Sequence, residues 1–207
     1  DYPVYHGYDC GKDVLYYSNQ PLQEEANQTH NYQSDGFCKY CSAHETVKKV
    51  SSDHHSELLD THSGYYAIEN AGQLYDFMER FHNSWNGKAV LTQDIVVNEN
   101  VLVDGELNPN LKNPRIWGPV GKGWTAYSHT FDGNGHTISG LYYNDLNNAE
   151  EVGFYGKTYN TTIKNLGIID SYFAGFQKVG GICGFAQEGL SVENCYFQGK
   201  VHNQAFA

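Results

Sequence analysis

Cys38 and Cys41 stand in the run HNYQSDGFCKYC, a C-x-x-C spacing that sets two thiols on one bend of chain. His30 lies eight residues before Cys38, Cys10 lies further back, and Gly36 just before the pair permits a tight turn. Together Cys10, His30, Cys38 and Cys41 make a Cys₃His set, the donor chemistry of a closed, tetrahedral, structural zinc site. A disulfide from Cys10 to Cys38 or Cys41 is the alternative, and it would leave an odd thiol. A redox motif is disfavoured because no βαβ pattern surrounds the pair. His6, His44, His54, His55 and His62 are competing ligands, although the adjacent His54 and His55 sit in a polar stretch and read as solvated.

The segment around this set has reason to need a metal. Residues 1–63 are rich in His, Ser, Gln and Asp and poor in aliphatics, so they bury little core of their own. A bound zinc would supply about 10–16 kcal/mol of folding free energy to such a unit.

The other residues able to do chemistry are carboxylates. Enzymes that cleave polysaccharides on a β-solenoid gather acids on one face, and Asp132, Asp145 and Asp170 are candidates. Asp132 sits in Phe-Asp-Gly-Asn-Gly, where Asp and Asn are ordinary turn formers, and Asp104-Gly105 is a similar turn. His129 and His136 flank the region without a nucleophile at fixed spacing. No G-x-S-x-G, H-E-x-x-H, phosphate loop or D-x-D-x-D-G calcium loop occurs. The chain is therefore expected not to be an enzyme.

The elements that must position these groups come from a near-repeat between Thr130 and Val201. Its passes read FDGNGHTISGLYYND, VGFYGKTYNTTIKNLGIIDSYFAG and VGGICGFAQEGLSVENCYFQGKV. Matching apolar positions aligns Ile138, Leu141 and Tyr143 with Ile163, Leu166 and Ile168, and these with Val192, Cys195 and Phe197. Gly153-Phe154-Tyr155-Gly156 matches Gly181-Ile182-Cys183-Gly184, and Asn165 matches Asn194, so the asparagine amides are expected to pair along a stack. Cys183 and Cys195 then replace core hydrophobes, with a disulfide across one coil as the alternative. Short β-branched and aromatic runs bounded by Gly and Asn, at a period in the solenoid range, predict a right-handed parallel β-helix.

Upstream, Asn70 and Gln73 have capping-box spacing, and Leu74, Phe77, Met78 and Phe81 form one apolar stripe, with Asn83 and Gly87 marking the end. KAVLTQDIVV and VLVDGEL each read as a strand, so residues 65–105 are expected to be a helix-capped first coil. The fold class is thus all-β: a parallel β-helix with an N-terminal capping helix, preceded by a small irregular Cys/His segment. The expected domains are a Cys/His unit at 1–45, a linker at 46–63 and the β-helix at 64–207, truncated at its C-terminus.

A formal net charge of −11, from 13 basic and 24 acidic residues, argues against nucleic acid, whose phosphates require a basic footprint. No run of 18 apolar residues is present, so no membrane insertion is expected. Seventeen tyrosines suit either a binding surface or solvent-facing strand positions.

The run from FDGNGHTISGLYYND through VENCYFQGKV resembles the GLUG-type repeats of Gram-positive bacterial surface proteins, including adhesins and the non-catalytic region of IgA-cleaving metalloproteases. The likeness spans roughly residues 64–201. HNYQSDGFCKYC is similar to a small H-x-Y-x-x-x-G-x-C-x-x-C unit of the same kinds of protein, from which this chain departs in the long insert between Cys10 and His30. The resemblance implies an extracellular, secreted or wall-attached protein and a host partner, with immunoglobulin or another glycoprotein a candidate. It implies no catalysis. A polysaccharide-acting enzyme fragment and a passive stalk are the alternatives.

Overall fold

The computed structural model describes residues 30–39, 43–81, 85–118 and 128–204. Strand is the dominant element and helices are few, so the class is all-β. In order come β1 (Lys48–Lys49), α1 (Leu59–His62), β2 (Tyr66–Ile68), α2 (Ala71–Arg80), β3 (Trp85–Leu91), β4 (Ile95–Val96), β5 (Leu102–Val103) and β6 (Glu106–Leu107). They are followed by β7 (Ser128–Asp132), β8 (Thr137–Ser139), β9 (Tyr142–Asp145), β10 (Tyr155–Tyr159), β11 (Thr162–Lys164), β12 (Gly167–Gly175), β13 (Cys183–Glu188), β14 (Ser191–Glu193) and β15 (Tyr196–Asn203).

The strands form three ladders and a hairpin. One ladder runs β1-β2-β3-β7-β11-β14, a second β15-β12-β8-β4 with β9 also on β12, and a third pairs β10 with β13. All pairs within them run parallel except β1 with β2. The exception makes the first sheet mixed. Parallel neighbours cannot be joined by a tight hairpin, so the chain must travel round before each strand meets the previous one. It does so through the other ladders, and each pass lays inward side chains on those of the pass before. Phe131, Ile163, Ile138, Ile168 and Phe173 are all completely buried in this way.

The register corrects half of the alignment read from apolar spacing. Ile163 pairs with Val192 and Ile168 with Phe197, as expected. Ile138, however, pairs with Ile168, and Ile163 takes Phe131 as its earlier partner, while Tyr143 pairs with Phe173. Seven residues separate Phe131 from Ile138, against five from Ile163 to Ile168. The first bend, Gly133 to His136, is thus two residues longer than its successor, and Ile138 stands in the ladder of Ile168, five residues along from the match that apolar spacing suggests. Gly133 is required there: a Cβ would lie 2.4 Å from the Asn165 carbonyl and 2.6 Å from Leu166 Cα.

Asn70 caps α2 as the sequence predicts, its side chain accepting from Gln73 N–H at 2.9 Å. The return bond of the box lands one residue early, from Glu69 N–H to Gln73 Oε1 at 2.8 Å. Leu74, Phe77 and Met78 are fully buried over one end of the strand stack. Gly87 does not mark the helix end, which falls at Arg80; it lies inside β3. The two strands read from the next segments are each divided. KAVLTQDIVV turns between β3 and β4 into different ladders, and VLVDGEL is the β5–β6 hairpin. Asp104 and Gly105, both at positive φ, make its two-residue turn.

Residues 46–63 do not behave as a solvated linker. Val47 and Val50 are buried, β1 pairs with β2, and His62 reaches the β7 end. The described part of the preceding unit is docked as well. Phe37 joins the main core, edge-on to Tyr75 at 5.3 Å, beneath the Arg115 guanidinium. Gly72 donates its N–H to the Asp35 carbonyl at 2.8 Å. A Cβ on Gly72 would sit 2.1 Å from Gly36 O. Alanine normally improves a helix over glycine by about 1 kcal/mol, but here the backbone overlap dominates. Gly72→Ala is expected to destabilise by about 1–3 kcal/mol and to loosen residues 30–45. Urea denaturation with limited proteolysis checks this, and a stabilised variant would contradict it.

Candidate functional site

Of the Cys₃His set, His30 and Cys38 are described, and Cys10 and Cys41 lie outside the described residues. The segments that carry the first two run side by side: Tyr32 bridges Cys38, and Lys39 N–H donates to Asn31 O at 2.9 Å. Gly36, at φ 78°, makes the tight turn its position predicts, with its N–H donating to Gln33 O. Cys38 is buried, and its N–H donates to Ala43 O. The buried Cys38 thus stands on a segment paired with the one that carries His30.

Of the competing histidines, His44, His55 and His62 have carboxylate partners, and His6 lies outside the described residues. His44 Nε2 meets Glu79 at 3.0 Å, and His62 Nε2 meets Asp132 at 3.0 Å. His54 and His55 are half-buried, which overturns the solvated reading. His55 bonds Glu57 through Nδ1 at 2.8 Å and Glu69 through Nε2 at 2.9 Å. Burial opposes its charged form, but these two carboxylates outweigh burial and hold its pKa above the ordinary value.

The carboxylates considered for acid–base work are absorbed by the framework. Asp132, 3% exposed, accepts from Asn134 N–H at 2.8 Å and Asn165 Nδ2 at 3.0 Å, and pairs with His62 and, at 3.1 Å, Lys164. Burial pushes its pKa up, but the hydrogen bonds from His62, Asn165, Asn134 and Lys164 prevail and bring it down to about 2. A group so acidic is a poor proton donor or base near neutrality. Asp170 accepts from the N–H groups of Val101 and Leu102 at 3.1 and 2.7 Å, anchoring the loop that leads to β5. Asp145 caps the turn at Asn147 and Asn148. Asp132 ends a strand of the first ladder and Asp170 interrupts one of the second. His129 meets Phe81 O at 2.9 Å and Tyr155 Oη at 3.3 Å, and His136 lies 3.6 Å from Asp94.

The stacked amides form as expected. Asn194 Nδ2 donates to Asn165 Oδ1 at 3.0 Å, and Asn165 Nδ2 donates on to Asp132, with φ at 52° for both asparagines. Asparagine tolerates this left-handed bend better than most residues and uses its side chain to link neighbouring passes. Cys183 and Cys195 carry free thiols and pack against the core as hydrophobes, so the disulfide alternative between them is not realised. Burial raises both thiol pKa values.

Sequence reasoning missed the pairing of His62 with Asp132, seventy residues apart, for which no local spacing gives a signal. It also placed no apolar surface. Val192, Tyr196 and Val201, on β14 and β15, are among the exposed large hydrophobics, with Phe176 close to β12. Among the described residues no helix is long and apolar enough to cross a membrane. No protein-family model matches the chain, and no curated protein or solved structure matches it.

Proposed function

We propose that residues 64–207 are a right-handed parallel β-helix serving as a non-catalytic binding module of a bacterial surface protein, of the GLUG-repeat kind. One observation carries the reading: consecutive passes of chain stack in parallel register and project every second side chain outward, giving a long, continuous outer face. Solenoids use such surfaces to bind macromolecules. The exposed Tyr196, paired with Gly167 of the preceding pass, supplies aromatic contact area there. The fixed structural duties of Asp132, Asp145 and Asp170 favour binding over polysaccharide cleavage. The net charge of −11 favours a protein partner over nucleic acid.

The module is extracellular, secreted or attached to the cell wall, it does not insert into a membrane, and its partner is a host protein, with immunoglobulin the first candidate and other glycoproteins next. Biolayer interferometry of the full chain against immunoglobulins and host glycoproteins tests this. Micromolar or tighter binding that weakens on Tyr196→Ala is expected. No binding to any of them would leave the passive stalk, and hydrolysis of a polysaccharide panel would establish the enzyme reading instead.

The unit at 1–45 is a zinc-stabilised staple, with Cys10, His30, Cys38 and Cys41 as ligands. About one thiolate-bound zinc per chain is expected, lost in Cys38→Ser. A disulfide at Cys38 or Cys41 in mass spectra of the purified chain would overturn it.

A further inference from the structure

His54, His55 and Glu69 converge on one point although they belong to different elements. Ser51 and His54 exchange backbone hydrogen bonds at 2.8 and 3.2 Å around the two-residue turn Ser52-Asp53. The turn delivers His54 and His55 together, with ring centroids 4.6 Å apart. His55 sits at φ 56° and ψ 52°, a left-handed conformation uncommon for a residue with a full side chain. It swings the ring towards Glu69, which ends the short link from β2 to the Asn70 cap. One donor atom from each of the three residues lies within 4.8 Å of the other two.

Two details separate this group from an ordinary ion pair. His54 Nε2 is sealed from solvent and has no hydrogen-bond partner. Leaving a buried polar nitrogen unpaired costs about 1–3 kcal/mol, which a coordinating cation would relieve. The flanking groups are also arranged as metal sites arrange theirs. Glu57 holds His55 Nδ1 at 2.8 Å, so Nε2 is the nitrogen left to face an ion once Glu69 turns to it. Gln73, only 1% exposed, donates from Nε2 to Glu69 Oε2 at 3.1 Å and fixes the carboxylate, while Gln93 donates to the Glu69 backbone carbonyl.

We propose that His54, His55 and Glu69 form a metal site, separate from the cysteine set, that takes zinc or a chemically similar divalent transition ion. Two imidazoles and one carboxylate suit such ions, whereas calcium and magnesium favour all-oxygen shells. Bonds of about 2.0–2.2 Å require the three donors to close in by a side-chain rotation, with no change of backbone. Three protein ligands leave one tetrahedral position for water or for a donor from a partner. The bound ion ties the turn after β1 to the N-terminus of α2 and so clamps residues 46–63 onto the stack.

The test is metal titration of the full chain after stripping with chelator, using Zn²⁺ and, for spectra, Co²⁺. Wild type is expected to take up about one equivalent more than His54→Ala or Glu69→Gln. The cobalt bound in that equivalent adds no thiolate charge-transfer band, which distinguishes it from ions held by the cysteines. Zinc should also shift the His54 and His55 ring resonances in wild-type NMR spectra, a readout that does not depend on either variant folding. Equal stoichiometry in wild type and folded variants, or unmoved ring resonances at saturating Zn²⁺, would overturn the proposal.

Discussion

Trp117→Ala is expected to lower the unfolding free energy by about 3–5 kcal/mol. Trp117 is completely buried and bolts α2 to the strand stack. Its ring meets Tyr75 of α2 edge-on at 5.1 Å and stacks on Phe154 at 5.6 Å. Its Nε1–H donates to Phe154 O at 3.0 Å. Truncation therefore opens a cavity between two layers and strands a buried carbonyl. The helix side cannot collapse to fill it, because the Tyr75 hydroxyl is held by Ile116 O at 2.7 Å. Burial pushes the pKa of that phenol up, so it stays a neutral donor. Trp117→Phe keeps most of the volume and loses the hydrogen bond, and should cost only about 1–2 kcal/mol. Urea denaturation of the three proteins decides the matter. A loss below about 1 kcal/mol for the alanine variant, well under the usual range for a buried tryptophan, would show that the helix docks independently of this contact.

Asp132→Asn is the second large effect, expected to cost roughly 3 kcal/mol. Removing one member of a buried ion pair costs about 3–5 kcal/mol; the low end applies because Lys164, 34% exposed, remains hydrated. The substitution leaves an Oδ1 that can still accept from Asn165 and Asn134, but it replaces the Oδ2 acceptor of His62 and Lys164 with an amide NH₂ and takes away the charge that faces them. A pH signature follows with a definite sign. The Asp132 pKa falls from 3.8 to about 2 on folding, so its contribution is complete above about pH 4 and disappears as pH drops towards 2. The amount lost is about 1–2 kcal/mol after allowance for solvent around Lys164. Asp94 and Glu69 are depressed as well and weaken the fold in acid in both proteins. The difference between wild type and Asp132→Asn isolates the buried group. The gap in Tm between the two should narrow from pH 5 to pH 2, and a constant gap would mean that Asp132 ionises as freely as an exposed carboxylate.

Much of the local architecture was legible in the residues. The Asn70 cap and the stripe of Leu74, Phe77 and Met78 lie within one or two turns of helix, where side chains three or four apart must meet. The pairing of Ile163 with Val192 and Ile168 with Phe197 was legible because those two passes have bends of equal length. In the first pass Ile138, Leu141 and Tyr143 have the same spacing as Ile163, Leu166 and Ile168, so apolar spacing alone matches Ile138 to Ile163, although Ile138 stands in the ladder of Ile168. The polar stretch at 46–63 was misread for a different reason. It docks through backbone pairing and a few isolated side chains, Val47, Val50 and His62, so its average composition still looks like that of a solvated linker.

The candidate sites divide along the same line. A C-x-x-C run is visible as a motif because its donors are neighbours in the chain. The convergence of His54 and His55 with Glu69, or of His62 with Asp132, is not, because fourteen and seventy residues intervene and no period links them.

By itself the sequence determined which segments turn, which extend and which passes look alike, since those follow from steric preferences and apolar spacing along a few residues. Only the tertiary structure decided which passes meet, how the N-terminal segment is seated, and which titratable groups face one another. Those outcomes depend on bend length and on the shared burial of surfaces from distant parts of the chain, and neither is written in any single stretch of it.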